Sequence, residues 1–224
     1  MQTNLEETYV FVSEQIFNPK IKENNMNVFS LLLFTACSDV EKHDHDHHDH
    51  EHEVMTTITL TFTSQADGSS SEFTWADPES DGDPVIDDIV LKDTDDYDVA
   101  ITIFNELEDP AEEVTPEIAD EEDEHQFFFT GSAVVGPATL DNADALVEHA
   151  YADQDADGLP IGLSNTITTL ATGSSELTVT LRHMPPEDGN PVKVEGLADS
   201  VANDGFESIG GANDFGITFP ITVE

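Results

Sequence analysis

The sequence predicts an all-β protein: an antiparallel β-sandwich of immunoglobulin-like kind, with one short acidic helix and a disordered histidine-rich tether before it. Three observations predict it. From Val54 onward, short stretches alternate apolar and polar residues with period two. In Thr57-Ile58-Thr59-Leu60-Thr61-Phe62-Thr63, for instance, Ile58, Leu60 and Phe62 share one face and threonines fill the other. Turn signals separate these stretches every ~8–15 residues, the spacing of a sandwich. An apolar fraction of 38%, with 13 Phe, supplies a real core for a single domain in a chain of 224 residues. A closed barrel is the alternative arrangement of the same strands.

Residues 1–37 read as a leader. Val28 to Phe34 is a short apolar run that ends in Phe34-Thr35-Ala36-Cys37. An apolar segment, small residues before a cut, and a cysteine that becomes the lipid-bearing first residue make a bacterial lipoprotein signal. This assigns lipidation to Cys37 and, with it, membrane attachment through a lipid anchor. Lys20 and Lys22 lie just before Met26, where the basic part of a signal belongs; a start at Met26 leaves a leader without Lys or Arg. The plainer alternative is a buried free cysteine at the end of a hydrophobic helix. A single cysteine permits no intramolecular disulfide. No run reaches the roughly 18–20 apolar residues that span a bilayer.

Residues 38–53 form the tether. His43-Asp44-His45-Asp46-His47-His48-Asp49-His50-Glu51-His52-Glu53 holds six of the nine histidines and no apolar residue to bury, so it is expected to be disordered without a ligand. Neutral imidazole suits zinc, copper and nickel, and the interleaved carboxylates add charge and oxygen donors. His43, His45, His47, His48, His50 and His52 can therefore meet tetrahedral zinc in many registers. The competing reading is a solvated spacer, or a tail that titrates near the ordinary histidine pKa of about 6.5.

Residues 54–224 carry the strands. After residues 57–63, stretches at 72–75, 89–91, 97–104, 126–135, 146–151, 161–170, 176–184 and 215–223 continue the pattern, with a turn-rich loop from Asp77 to Pro84. One helix interrupts them. Thr115-Pro116-Glu117 offers a capping hydroxyl, a proline in the first turn and an acid at the positive end of the dipole. Within Pro116–His125, Glu121 and His125 lie four apart and are expected to share a helix face. An exposed charged helix is the plain reading; a metal site of Glu121 and His125 completed by His183 is the sharper one.

Asp153-Gln154-Asp155-Ala156-Asp157-Gly158 is the second chemical signal. Alternate acids before a glycine can set Asp153, Asp155 and Asp157 around calcium. Ser164 stands where an EF-hand has Glu at position twelve, so a calcium-bound β-connection is the expectation, against an acidic turn that binds nothing tightly. Asp77, Asp81 and Asp83 form a weaker version.

Charge and absent motifs bound the function. Six Lys+Arg against 49 Asp+Glu give a formal charge of −43, which argues against nucleic acid and anionic lipid headgroups. It suits cations or salty surroundings. Nucleophile-elbow, zinc-protease, phosphate-loop and dinucleotide signatures do not occur. The only arginine is Arg182, which disfavours polyanionic substrates.

The Thr-Ala-Cys signal, the His/Asp linker, Phe104-Asn105-Glu106-Leu107, Glu121–Phe129, Pro160-Ile161-Gly162-Leu163 and Leu177–His183 occur in that order. In this set the chain resembles the small, His/Asp-rich envelope lipoproteins of flavobacterium-type bacteria. Some of these carry the loose label of a type 1 periplasmic binding fold, which implies alternating strands and helices where one helix is visible here. The resemblance implies an outer-membrane lipoprotein, facing the periplasm or the surface, beside a TonB-dependent transporter. Acids after Cys37 resemble a surface-export signal, interrupted by Val40.

The expected function is therefore non-enzymatic: capture of divalent transition metal, zinc foremost, by the linker for buffering or delivery to the transporter. The alternative is a surface module for peptide or glycan, using an exposed aromatic such as Trp75, with the histidine run as spacer. An envelope hydrolase pairing His125 or His183 with carboxylates in a pocket stands third.

Overall fold

The computed structural model describes residues 54–224. The readings placed on Cys37 and on His43, His45, His47, His48, His50 and His52 lie outside the described residues.

In chain order the strands are β1 (Thr57–Ser64), β2 (Ser70–Ala76), β3 (Val85–Ile86), β4 (Ile89–Leu91), β5 (Asp96–Asn105) and β6 (Glu112–Glu113). Helix α1 (Thr115–Asp120) follows, then β7 (His125–Thr130), β8 (Val134–Val135), β9 (Val147–Tyr151), β10 (Ser164–Thr169) and β11 (Gly173–His183). Helix α2 (Leu197–Asp204), a 3-10 turn (Phe206–Ser208) and β12 (Ala212–Val223) complete the chain. One sheet runs β3-β2-β1-β5-β10-β9-β8, with β6 alongside β5; the other runs β4-β12-β11-β7.

The two sheets pack on one core, as the alternation demands. Ile58, Leu60 and Phe62 from β1 and Val99, Ile101 and Ile103 from β5 meet Phe127 and Phe129 of β7, Leu177, Val179 and Leu181 of β11, and Ile217, Phe219 and Ile221 of β12. The polar rank of β1 and its neighbours stays on the outer face, where Thr59 bonds Thr74 across the strands at 3.2 Å. The all-β expectation holds. Pairing is antiparallel except at β4–β12 and β8–β9, which run parallel, so a purely antiparallel sandwich is corrected.

Four finer expectations are corrected. The stretch 126–135 is two strands, because Gly131 turns at φ +103°. The stretch 161–170 enters its strand only at Ser164, after Gly162 at φ +91°. Thr115 lies inside α1 rather than capping it; Val114 is the cap residue, and the Thr115 hydroxyl accepts the Ile103 N–H at 2.9 Å instead. The helix count is two, since α2 was not foreseen. It covers a second, smaller core in which Phe128, Met184, Leu197, Val201 and Ile209 are buried. This explains why Phe127, Phe128 and Phe129 are all buried although consecutive residues of a strand face opposite ways.

Candidate metal centre

Two histidines close one end of the main core. Along β11, Leu177, Val179 and Leu181 face inward, and the same alternation turns His183 inward. Along β7 the inward rank is His125, Phe127 and Phe129. The ladder sets His125 directly opposite His183. Both residues are buried, at 0% and 4% exposure, and their rings stack with centroids 4.4 Å apart and planes 10° apart.

Carboxylates surround this pair. Helix α1 ends at Asp120, so Glu121 and His125 do not share a helix face as expected; a turn carries the chain from Glu121 to His125. The turn still brings Glu121 Oε2 to 3.9 Å from His125 Nδ1, which lies 3.2 Å from the Glu121 carbonyl oxygen. Glu124 Oε2 stands 3.3 Å from His183 Nε2. Asp214 Oδ2, on a side chain only 3% exposed, stands 3.8 Å from His125 Nε2. Glu121, His125 and His183 each offer a ligand atom within 4.8 Å of the others, in the combination the sequence suggested. Glu121 is exposed and opens the cluster to solvent.

Chemically, two imidazoles and the Glu121 carboxylate suit a borderline divalent ion such as zinc, with Asp214 and Glu124 each beside one of the rings. The stacked rings impose one condition. A nitrogen lone pair lies in its ring plane, and near-parallel planes this far apart share no point about 2.0–2.1 Å from both nitrogens. Chelation by both rings therefore requires one of them to turn.

Neighbouring groups hold the turn. The Lys193 ammonium, fully buried, donates to the Glu122 carbonyl at 2.6 Å and pairs with Asp155 Oδ2 at 2.8 Å. Glu122 Oε1 accepts the Ala156 N–H at 3.0 Å, and the Glu124 carbonyl accepts the Met184 N–H at 2.6 Å. Loop 153–162 is thus fastened to the turn that carries Glu121 and Glu124.

That fastening uses the acids assigned to calcium. Asp153 accepts the backbone N–H groups of Gly162 and Ser164, each at 2.7 Å. Asp155 Oδ1 accepts those of Leu159 and Asp157, while Lys193 supplies the cation at Oδ2. Burial pushes the Asp155 carboxyl up, but Lys193 and the backbone donors outweigh it and hold the pKa below the ordinary value. Asp153, Asp155 and Asp157 are not among the described groups whose ligand atoms converge. Asp77 likewise spends its carboxylate on the N–H groups of Asp81 and Gly82.

Three participants escaped the sequence reading, Glu124, Asp214 and Lys193, as did the buried His149 elsewhere in the core. His149 had a readable signal, because Val147 and Tyr151 put it on the core face of β9. It stacks on Phe129 at 4.2 Å, and its Nε2 lies 2.9 Å from Asn165 Oδ1. Burial pulls its pKa down to about 4, against the smaller opposing effect of Asn165. Arg182 is structural: it donates to the carbonyls of Gly210 and Ile209 and to Asn213 Oδ1. Trp75 is half-buried against the core. A cavity of about 250 Å³ lies beside α2, lined by Gln126, Pro160 and Leu197 among others, and neither clustered histidine lines it. No family model matches the chain, and no curated protein or solved structure matches it.

Proposed function

We propose that this protein is a non-enzymatic binder of divalent transition metal, zinc foremost, held at the cell envelope by a lipid on Cys37. The observation that carries the reading is the convergence within 4.8 Å of His125 and His183, paired across the β7–β11 ladder, and Glu121 from the turn before β7. The linker histidines 43, 45, 47, 48, 50 and 52 support it from the sequence as collectors of several ions. The domain, read at its finest as an immunoglobulin-like sandwich, holds a single ion once one of the two rings turns. Buffering, or delivery to an outer-membrane transporter of the TonB-dependent kind, follows from pairing a histidine store with a seat in the domain.

The burial of both rings favours a metal over a substrate, because a hydrolase needs its histidine at a cavity wall. Cells expressing the chain without residues 43–52 should accumulate less zinc when zinc is scarce. Unchanged accumulation would remove the collecting role from the linker.

A further inference from the structure

We infer that Asp214 is a ligand of the domain's metal ion, acting with Nε2 of His125; the inference rests on the metal-binding reading above. The tautomer of His125 comes first. Its Nδ1 lies 3.2 Å from the Glu121 carbonyl oxygen, which can only accept, so Nδ1 carries the proton. The lone pair is then on Nε2, the usual division of labour in a metal-binding imidazole.

Asp214 Oδ2 lies 3.8 Å from that nitrogen. The distance is too long for a hydrogen bond. It is close to the roughly 3.4 Å that separates two ligands of a tetrahedral zinc ion with bonds of about 2.0–2.1 Å. A cation between the two atoms needs only a small inward movement of either side chain.

The backbone is shaped to bring Asp214 there. The β11–β12 ladder pairs Leu181 with Phe215 but Arg182 with Asn213, so Asp214 is the extra residue of a bulge. Bulges re-aim side chains. In regular pairing, the inward rank of Phe219, Ile217 and Phe215 would continue to Asn213 and turn Asp214 outward. Instead Asn213 accepts from Arg182 Nη1 at 2.8 Å, and the Asp214 side chain is buried beside His125. Arg182 Nε on the Gly210 carbonyl pins the approach to the bulge. A carboxylate buried beside His125, which Glu121 also approaches, adds local negative charge that a divalent ion offsets.

The test uses the full chain with the six linker histidines changed to Asn and Cys37 to Ser, titrated with cobalt(II) and with zinc. In that background, D214C should give the near-ultraviolet sulfur-to-cobalt charge-transfer band that appears only when a thiolate touches the ion. D214N, close to isosteric and neutral, should bind zinc at least about tenfold more weakly. If the background chain binds one ion but D214C gives no band, or D214N keeps full affinity, Asp214 is not a ligand and the inference falls while the metal-binding reading stands. If the background chain binds no ion, the domain site itself fails and the inference with it.

Discussion

His149 is the residue whose burial makes the clearest demand on solution conditions. Its folded pKa of about 4 lies below the ordinary value of about 6.5, so the unfolded chain binds the proton more readily. The stability this contributes is complete above pH 6.5 and is lost as pH falls through 4, about 3 kcal/mol in all. Urea unfolding across that range should show the loss, and H149Q should flatten it; an unchanged acid slope in H149Q would assign the loss to other groups. Asp155 has the same sign, with stability present above the ordinary carboxylate pKa and lost below it. Lys193 poses a separate test. K193M leaves the Asp155 carboxylate buried without its partner, which should cost about 3 kcal/mol and lower the unfolding midpoint. A stability equal to that of the parent chain would mean that solvent already reaches the pair. Nothing in the local sequence announces Lys193, because its carboxylate stands far back in the chain.

At the level of elements, the strands were legible because their inward residues are apolar and strictly alternate. The same alternation places His183 on the core face in LTVTLRH and His149 on that face in VEHAY, so two of the three buried histidines were readable as inward. What connects the elements was not legible. Helix α2 has no long apolar stripe of its own and exists to cover Phe128 and Met184. The Asp214 bulge depends on hydrogen bonds from Arg182, some thirty residues earlier. Gly211 at φ +77° prepares that bulge, and a Cβ there would collide with the His183 carbonyl oxygen. G211A should therefore cost about 1–3 kcal/mol and weaken zinc binding by the domain. Full zinc affinity in a folded G211A would show that the bulge does not shape the site.

For the molecule as a whole, a formal charge of −43 over the full chain means mutual repulsion among its acids. Screening with added sodium chloride should raise the melting temperature by on the order of a few degrees, and a fall with salt would contradict the picture of a repelling acidic surface. The same acidity hid the site among many carboxylates: the sequence offers 49 Asp and Glu, and only the fold selects Glu121, Glu124 and Asp214 to stand beside two histidines. One ring of that pair must turn to share an ion, so zinc should shift both imidazoles in a histidine-selective NMR spectrum. The most direct measurement is isothermal titration of zinc into the full chain with the six linker histidines changed to Asn, beside the same chain carrying H125N and H183N. One binding event is expected in the first and none in the second. Equal heats from both, or no binding in the first, would contradict a metal centre in the folded domain.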